Sequence, residues 1–179
     1  MAAAKPLPDL WLLTDARNDA ALEVPLARMP RGSALVYRHY HLAPEERIAR
    51  YRSLARLARS RGHIVILADS ALTAKEWGAD GIYGAPRSLS PRRAGLISVA
   101  TAHSLRELAQ ARAMGADAVM LSPAVATNSH PGASTLGPVR FRLLALRAGQ
   151  PVIALGGMNR ANAHRLQWPR WAAIDGLSG

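Results

Sequence analysis

The sequence contains no cysteine, which excludes several kinds of site at once. The chain can form no disulfide, offers no thiolate nucleophile and cannot bind a metal or an iron–sulfur cluster through cysteine. It also lacks any apolar run near the roughly 20 residues that span a bilayer. Two prolines interrupt residues 1–8, which contain no apolar stretch of signal-peptide length. We therefore expect a cytoplasmic protein that has no membrane partner.

Aromatic side chains are also scarce, at 5% of the 179 residues, although 49% of the residues are hydrophobic. The core must therefore consist mainly of Ala, Leu, Val and Ile, a composition that suits barrel strands flanked by Ala-rich helices. The length fits one domain and is too short for two domains with separate cores. We expect a single domain over residues 1–179.

Acidic residues are few, 12 against 23 basic ones, and the net charge of +11 makes nucleic acid a candidate partner. All the basic residues except Lys5 and Lys75 are arginine, and many recur at helical spacing, which is typical of a solvated helix face. The sequence has no aromatic-studded basic strand, no zinc-ligand spacing and no helix-turn-helix pattern. We therefore expect no nucleic-acid partner. The arginines at helical spacing are Arg47, Arg50, Arg52, Arg56, Arg59 and Arg61.

Apolar segments of strand length alternate with helical segments along the whole chain. A continuous apolar run such as Ile64-Val65-Ile66-Leu67 indicates a strand buried on both faces, as in a parallel sheet. Eight such strands predict an α/β protein, a (β/α)8 TIM barrel, in preference to a doubly wound sheet. The predicted strands are residues 10–14, 34–38, 64–69, 81–83, 96–101, 118–123, 152–156 and 172–177.

Helix signals separate several of these strands. Pro44-Glu45-Glu46 is a favourable first turn for a helix that ends at Gly62, and Ser104-Leu105-Arg106-Glu107 is a capping box. Gly78-Ala79-Asp80 and Gly115-Ala116-Asp117 each place a helix-ending glycine just before a strand. The second copy of this pattern favours a repeated βα unit over a common turn.

Two places in the predicted ring of outer helices are thin. Residues 84–95 leave room for one helical turn at most, and the sequence stops at Gly179 directly after the eighth strand. We expect a small barrel that lacks the last outer helix, which leaves apolar strand surface in water. A symmetric partner is the commonest cover for such a patch, so we expect a homodimer.

The loops that follow the strands should form the site of a barrel, and here they are rich in glycine and hydroxyl groups. Gly156-Gly157 follows the seventh strand, Ser178-Gly179 follows the eighth, and residues 122–137 after the sixth strand contain many Ser, Thr and Gly residues. Paired glycines alone could make only a tight turn. Together with the hydroxyl-rich loop they predict a phosphate site, because backbone N–H groups can approach an anion closely there.

Several motifs make a more specific resemblance. They are Leu12-Leu13-Thr14-Asp15, the loop Thr127-Asn128-Ser129-His130-Pro131-Gly132 and the run Pro151-Val152-Ile153-Ala154-Leu155-Gly156-Gly157-Met158. In this order the sequence resembles the thiamine phosphate synthase and TenI family. The resemblance implies a reaction in which hydroxymethylpyrimidine diphosphate is joined to thiazole phosphate, with release of pyrophosphate and the help of Mg²⁺. TenI relatives instead tautomerise the thiazole phosphate with a histidine after the sixth strand.

The resemblance also implies site residues. Arg38 matches an arginine of the family's diphosphate site, Thr101 replaces a serine there, and Asp69 keeps one of the two metal carboxylates, the second falling on Ser88. The lysine of the loop after the sixth strand is here His130, and the catalytic histidine of TenI is Pro123. The implied phosphate-binding residues are Thr127, Ser129, Gly156, Gly157, Leu177 and Ser178.

Histidines are the remaining candidates for acid–base work. We expect His130 to face the ligand, as a catalytic residue with Arg38, and His103 to be a structural hydrogen-bonding residue. The other four histidines are expected at the surface: His39, His41, His63 and His164.

Two classes of function fit these residues. One is a synthase-like enzyme, in which Arg38, Arg87 and His130 provide positive charge for the diphosphate. The other is a TenI-like or non-catalytic barrel that binds thiazole phosphate or thiamine phosphate. The phosphate loops favour both classes equally, the depleted metal ligands favour the second, and the alternative cations favour the first.

Overall fold

The computed structural model describes residues 6–91, 93–126 and 135–177. In this part of the chain eight parallel strands form a closed barrel, and β8 pairs with β1 to complete the circle. The (β/α)8 prediction is therefore confirmed. The strands are β1 Leu10–Leu13, β2 Ala34–Tyr37, β3 Ile64–Leu67, β4 Gly81–Gly84, β5 Ile97–Ala102, β6 Ala118–Leu121, β7 Val152–Ala154 and β8 Trp171–Ala173.

Helices cover the outside of the barrel. The helices of the described residues are α1 Glu23–Arg28, α2 Pro44–Ser60, α3 Ala71–Glu76, α4 Leu105–Ala113, α5 Gly137–Arg147 and α6 Arg160–Leu166, with 3₁₀ turns at Asp19–Ala21 and Pro86–Leu89. As the capping box predicts, the Ser104 hydroxyl accepts a hydrogen bond from the backbone N–H of Glu107 at 3.3 Å. None of the described helices is long and apolar enough to span a membrane.

The core has two layers, because alternate side chains of each strand point inside and outside the barrel. Trp11, Val36 and Met120 are fully buried in the inner layer. Leu35 and Phe141 are fully buried in the outer layer, between the strands and the helices. Burial of both faces explains why the strands are continuous apolar runs.

The repeated Gly-Ala-Asp junction has one structure in both copies. The Asp80 carboxylate accepts a hydrogen bond from the backbone N–H of Val65 at 2.9 Å, and the Asp117 carboxylate accepts one from Ser98 at 2.8 Å. Each aspartate thus ties the start of its strand to the preceding strand. The repeat predicted from the sequence is a repeated structural device.

The helix ring is thin between β4 and β5, as the sequence predicts. Between β4 and β5 the described residues contain only the turn Pro86–Leu89, and no helix follows β8 as far as Leu177. A hollow of about 300 Å³ lies between α1 and the start of α6. Its lining residues are Leu10, Pro25, Arg28, Met29, Asn159, Arg160, Ala161, Gly176 and Leu177.

Candidate functional site

A cavity of about 810 Å³ opens at the carboxyl ends of the strands. Parallel strands bring all of these ends to the same rim, which is where barrels of this type form their sites. The lining comes from β1, β2, β4 to β8 and the loops that follow them. Its polar and glycine residues are Asp15, Arg17, Arg38, Tyr83, Thr101, His103, Ser122, Gly156, Gly157, Asn159, Asn162, Asp175 and Gly176.

The turn after β7 requires glycine at both positions. Gly156 and Gly157 have φ angles of +93° and +63°, a region that other residues rarely adopt. A Cβ on Gly157 would lie 2.1 Å from the carbonyl oxygen of Ala126, and one on Gly156 would lie 2.8 Å from the Cα of Pro123. The glycines therefore allow the loops after β6 and β7 to pack backbone against backbone.

Two asparagines hold this turn in place. The Asn162 side chain donates a hydrogen bond to the carbonyl oxygen of Gly157 at 2.6 Å, and the Asn159 side chain caps α6 by accepting from the N–H of Asn162 at 2.8 Å. Within the described part of the chain, the backbone N–H groups of Gly156 and Gly157 donate to no protein acceptor. Both glycines line the main cavity.

The loop after β8 packs against this turn. A Cβ on Gly176 would lie 2.1 Å from the carbonyl oxygen of Met158, so this position also depends on glycine. Leu177 lines the smaller neighbouring hollow and is absent from the lining of the main cavity. Of the phosphate-binding residues that the resemblance implies, Gly156 and Gly157 therefore line the main cavity.

An ion-pair network joins the loops after β1, β2 and β8, in the neighbouring part of the rim. The Arg38 guanidinium donates to the Asp15 carboxylate at 2.8 Å and to the carbonyl oxygen of Thr14 at 2.8 Å. Arg17 donates to Asp15 at 2.9 Å and lies 3.5 Å from the Asp175 carboxylate. The hydrogen bond from Arg17, with the charges of Arg17 and Arg38, holds the pKa of Asp15 below its usual value. The network fixes both arginines at the cavity.

Tyr83 is a site residue that the sequence reasoning missed. Its ring packs in the inner core and is only 8% exposed, yet the residue lines the cavity. Burial raises the pKa of Tyr83, and the nearby charge of Arg38 offsets only part of this rise. Its place at the carboxyl end of β4, two residues after the inward-facing Gly81, is the signal that could have identified it.

Three polar residues on β5 and β6 complete the lining. Thr101 at the end of β5 and Ser122 just after β6 line the cavity, and the contact of Thr101 with the diphosphate stays a prediction. The His103 side chain is 57% exposed and lies 3.2 Å from the Glu107 carboxylate, four residues along the chain. This pairing fits the structural role expected for His103. Arg87 is exposed and does not line the cavity.

Both carboxylate oxygens of Asp69 accept hydrogen bonds from protein groups. One carboxylate oxygen accepts from Arg47 at 2.7 Å and the other from the backbone N–H of Ser70 at 2.7 Å. Ser88, at the place of the second metal carboxylate, donates its hydroxyl to the carbonyl oxygen of Ala85 at 2.8 Å. The described residues contain no cluster of three acidic or histidine side chains that could hold a metal ion. The Asp69 carboxylate is thus paired within the protein, and its role as a magnesium ligand stays a prediction.

The arginines of α2 divide into two groups. Arg52, Arg56, Arg59 and Arg61 are exposed, as expected for a solvated face. Arg47 and Arg50 are not, with side chains only 13% and 22% exposed. The expectation of a solvated face was wrong for these two because both reach carboxylates of other loops, Asp69 for Arg47 and Asp19 for Arg50.

The expectation that four histidines lie at the surface was wrong for two of them. His39 and His63 are only 1% and 3% exposed. A ring nitrogen of His39 lies 2.7 Å from the Asp19 carboxylate, and one of His63 lies 3.1 Å from the carbonyl oxygen of Leu26. Each partner offsets part of the free-energy cost of burying the imidazole ring. Burial lowers the pKa of both histidines because it disfavours the charged form. His41 and His164 are exposed as expected.

Four predicted site residues lie outside the described residues. They are Thr127, Ser129, His130 and Ser178. The catalytic role expected for His130 and the phosphate contacts of the other three therefore stay predictions.

Comparisons with known proteins agree with the resemblance seen in the motifs. The family model described as thiamine monophosphate synthase matches residues 10–174. A thiamine-phosphate synthase from Chloroflexus aurantiacus is 32% identical over 165 residues, which cover 86% of this chain and 76% of that protein. One from Bordetella avium is 34% identical over 142 residues, covering 73% and 66% of the two chains.

A solved structure supports the fold independently. The thiamine phosphate pyrophosphorylase from Pyrococcus furiosus superposes with a TM-score of 0.75 at 22% identity, covering 97% of this chain and 88% of that one. At this identity the likeness bears on the fold alone. The family model matches nearly the whole barrel, and the relative from Chloroflexus aurantiacus is similar over most of the chain. These two matches assign the sequence to a family. The chain belongs to the thiamine monophosphate synthase family.

Proposed function

We propose that this chain is a thiamine phosphate synthase-like transferase that joins hydroxymethylpyrimidine diphosphate to thiazole phosphate and releases pyrophosphate. The observation that carries the proposal is the glycine turn after β7. Its backbone N–H groups at Gly156 and Gly157 have no protein acceptor in the described residues and line the cavity. Such groups bind a phosphate well because they are preoriented donors.

The two substrates would lie on different sides of the cavity. The thiazole phosphate fits the β7 and β8 side, where glycines bring backbone close to the ligand. The diphosphate fits the side of β1 and β2, where Arg17 and Arg38 line the rim. Departure of a diphosphate develops negative charge on its oxygens, and fixed cations at that point lower the barrier. A transfer between two phosphorylated substrates needs such an anion-binding region for each of them.

A second candidate function is binding of thiazole phosphate or thiamine phosphate without turnover. The pairing of Asp69 with Arg47 favours it, because the carboxylate that would bind Mg²⁺ is already engaged. A TenI-like tautomerisation has less support, since Pro123 occupies the position of the TenI histidine and cannot transfer a proton.

A paired assay separates these functions. We expect the purified protein to form thiamine phosphate and pyrophosphate from both substrates, and to bind thiazole phosphate alone in isothermal titration calorimetry. Binding without product, even with Mg²⁺ present, would support the non-catalytic function and overturn the synthase proposal. Absence of thiazole phosphate binding would overturn both.

Self-association as a homodimer is a further part of the proposal. Helix α5 exposes Val139, Leu143 and Leu146 at 74%, 55% and 77%, and a second copy that covers such side chains would remove apolar surface from water. The net charge of +11 opposes association at low salt. Light scattering at moderate salt is expected to give a dimer mass, and a monomer mass at every concentration would contradict it. A cytoplasmic location and the absence of a nucleic-acid partner likewise remain proposals.

A further inference from the structure

The main cavity is not lined by the two residues at the positions of the family's metal ligands. Other polar side chains line it instead. Asp69 and Ser88 do not line it, whereas Arg38 and Tyr83 do. Arg38 follows the end of β2 and Tyr83 lies on β4, both residues line the cavity, and the charge of Arg38 is close enough to lower the pKa of Tyr83 in part. Tyr83 and Ala68 belong to the same cluster of buried side chains inside the barrel.

We propose that Arg38 and Tyr83 form a metal-independent binding site for the diphosphate group of the second substrate, in which the Tyr83 hydroxyl contacts the leaving oxygen. This inference rests on the proposed synthase function. It assigns a substrate-contacting role to Tyr83, and it assigns to side chains of this chain the charge stabilisation that the family takes from Mg²⁺.

Both groups are hydrogen-bond donors toward an anion. The guanidinium of Arg38 is always charged, and its orientation is fixed by its bonds to Thr14 and Asp15. The phenol of Tyr83 stays protonated at neutral pH, since its pKa is raised by burial. The Tyr83 residue is only 8% exposed and lines the cavity, so its hydroxyl can serve as a donor to a ligand held there. A phosphate oxygen satisfies both donors.

Asp69 is held by Arg47 rather than left open to solvent. The Arg47 guanidinium bonds to Asp69 at 2.7 Å and to the carbonyl oxygens of Arg38 and Ala68 at 3.3 and 3.1 Å. It therefore joins the ends of β2 and β3 through the carbonyl oxygens of Arg38 and Ala68. This clamp supports the orientation of Arg38 and removes the carboxylate that a metal would need.

The proposed contact accounts for the chemistry without a further reactant. The bond between the pyrimidine methylene carbon and the diphosphate oxygen breaks, and its electron pair stays on the oxygen. The thiazole supplies the pair for the new bond to that carbon. Tyr83 donates a hydrogen bond to the departing oxygen and keeps its proton, so pyrophosphate leaves as the anion.

Two nearby carboxylates lower the affinity of the site for an anion. Asp15 and Asp175 balance the charges of Arg38 and Arg17 at the rim. A polyanion therefore gains less from these arginines than it would from two uncompensated ones. We expect moderate affinity, which increases when the Asp175 carboxylate is replaced by an amide in Asp175→Asn.

The test uses inorganic pyrophosphate as the probe, titrated into the protein in the presence of EDTA. We expect the wild-type protein to bind it without metal and Tyr83→Phe to bind about 10-fold more weakly, the loss of one hydrogen bond to a charged acceptor. Arg38→Ala should weaken binding further. Tyr40→Phe is the matched control, since Tyr40 is 67% exposed and lies outside the cavity lining. Thiazole phosphate binding by Tyr83→Phe reports whether the variant is folded.

Pyrophosphate binding and turnover can be measured separately, so the two proposals have different outcomes that contradict them. Pyrophosphate binding that requires Mg²⁺, or that is equal in the wild type and Tyr83→Phe, would overturn the metal-independent site even if the protein turns over both substrates. If the wild type binds pyrophosphate, loses affinity in Tyr83→Phe and forms no product, the site stands and the synthase function fails. Where turnover is measured, Tyr83→Phe should lower kcat and leave the KM for thiazole phosphate unchanged.

Discussion

Changing Gly157 to Ala is expected to remove thiazole phosphate binding and to destabilise the fold. The φ angle of +63° is unfavourable for alanine, and the added Cβ would lie 2.1 Å from the carbonyl oxygen of Ala126. The loops after β6 and β7 must then separate. We expect the free energy of unfolding to fall by about 2–4 kcal/mol. The affinity for thiazole phosphate should fall about 100-fold or more, the loss of two hydrogen bonds to a charged acceptor.

Gly32→Ala is the control for this prediction. Gly32 has a φ of +85°, but a Cβ there would have no atom within 4 Å. It therefore reports the cost of the backbone conformation without the close approach. Denaturant unfolding and calorimetric titration with thiazole phosphate measure both effects. Equal stability losses in the two variants, with phosphate affinity unchanged in Gly157→Ala, would contradict the role assigned to the turn.

The barrel could be predicted from the sequence because its signals are local. Continuous apolar runs and helix-ending glycines such as Gly78 and Gly115 depend on a few neighbouring residues, and each of the eight predicted strands overlaps an observed one. Several predicted strands were too long by one to four residues at their carboxyl ends. There Arg38 and Asp69 leave the sheet and bond to the side chains or backbone of other loops.

Much of the site could not be predicted because its interactions join distant residues. Arg47 and Asp69 are 22 positions apart, and nothing in the sequence of α2 distinguishes Arg47 from its exposed neighbours such as Arg52. The role of Tyr83 depends on which face of β4 points inward. The turn after β7 was predictable because its positive φ angles are adopted readily by glycine and rarely by other residues.

Changing Arg47 to Ala is expected to lower the free energy of unfolding by about 2–3 kcal/mol, since it leaves the Asp69 carboxylate without its partner. The guanidinium also bonds to two backbone carbonyls and lies over the ring of Trp77 at 5.3 Å. Arg52→Ala, on the same helix but exposed, should change stability by less than about 0.5 kcal/mol. Chemical denaturation of both variants at pH 7 measures the difference.

The loss of stability in Arg47→Ala should depend on pH, because the pKa of its partner Asp69 is shifted in the folded protein. Burial raises the pKa of Asp69, but the hydrogen bond from Arg47 and that from Ser70 outweigh it, so the pKa lies below its usual value. A carboxyl with a lowered pKa contributes stability above its unfolded pKa of about 3.9 and loses it as the pH falls through the folded value. The difference between wild type and Arg47→Ala should therefore be largest at neutral pH and decrease below about pH 4.

Asp69→Asn separates this clamp from a metal site. The amide keeps the shape of the side chain but removes the charge, so we expect a loss of stability together with pyrophosphate binding in EDTA close to that of the wild type. The double variant Arg47→Ala with Asp69→Asn should cost less than the sum of the two single changes, because both remove the same pair. A strictly additive cycle, or turnover abolished in Asp69→Asn with stability unchanged, would return Asp69 to the role of a metal ligand.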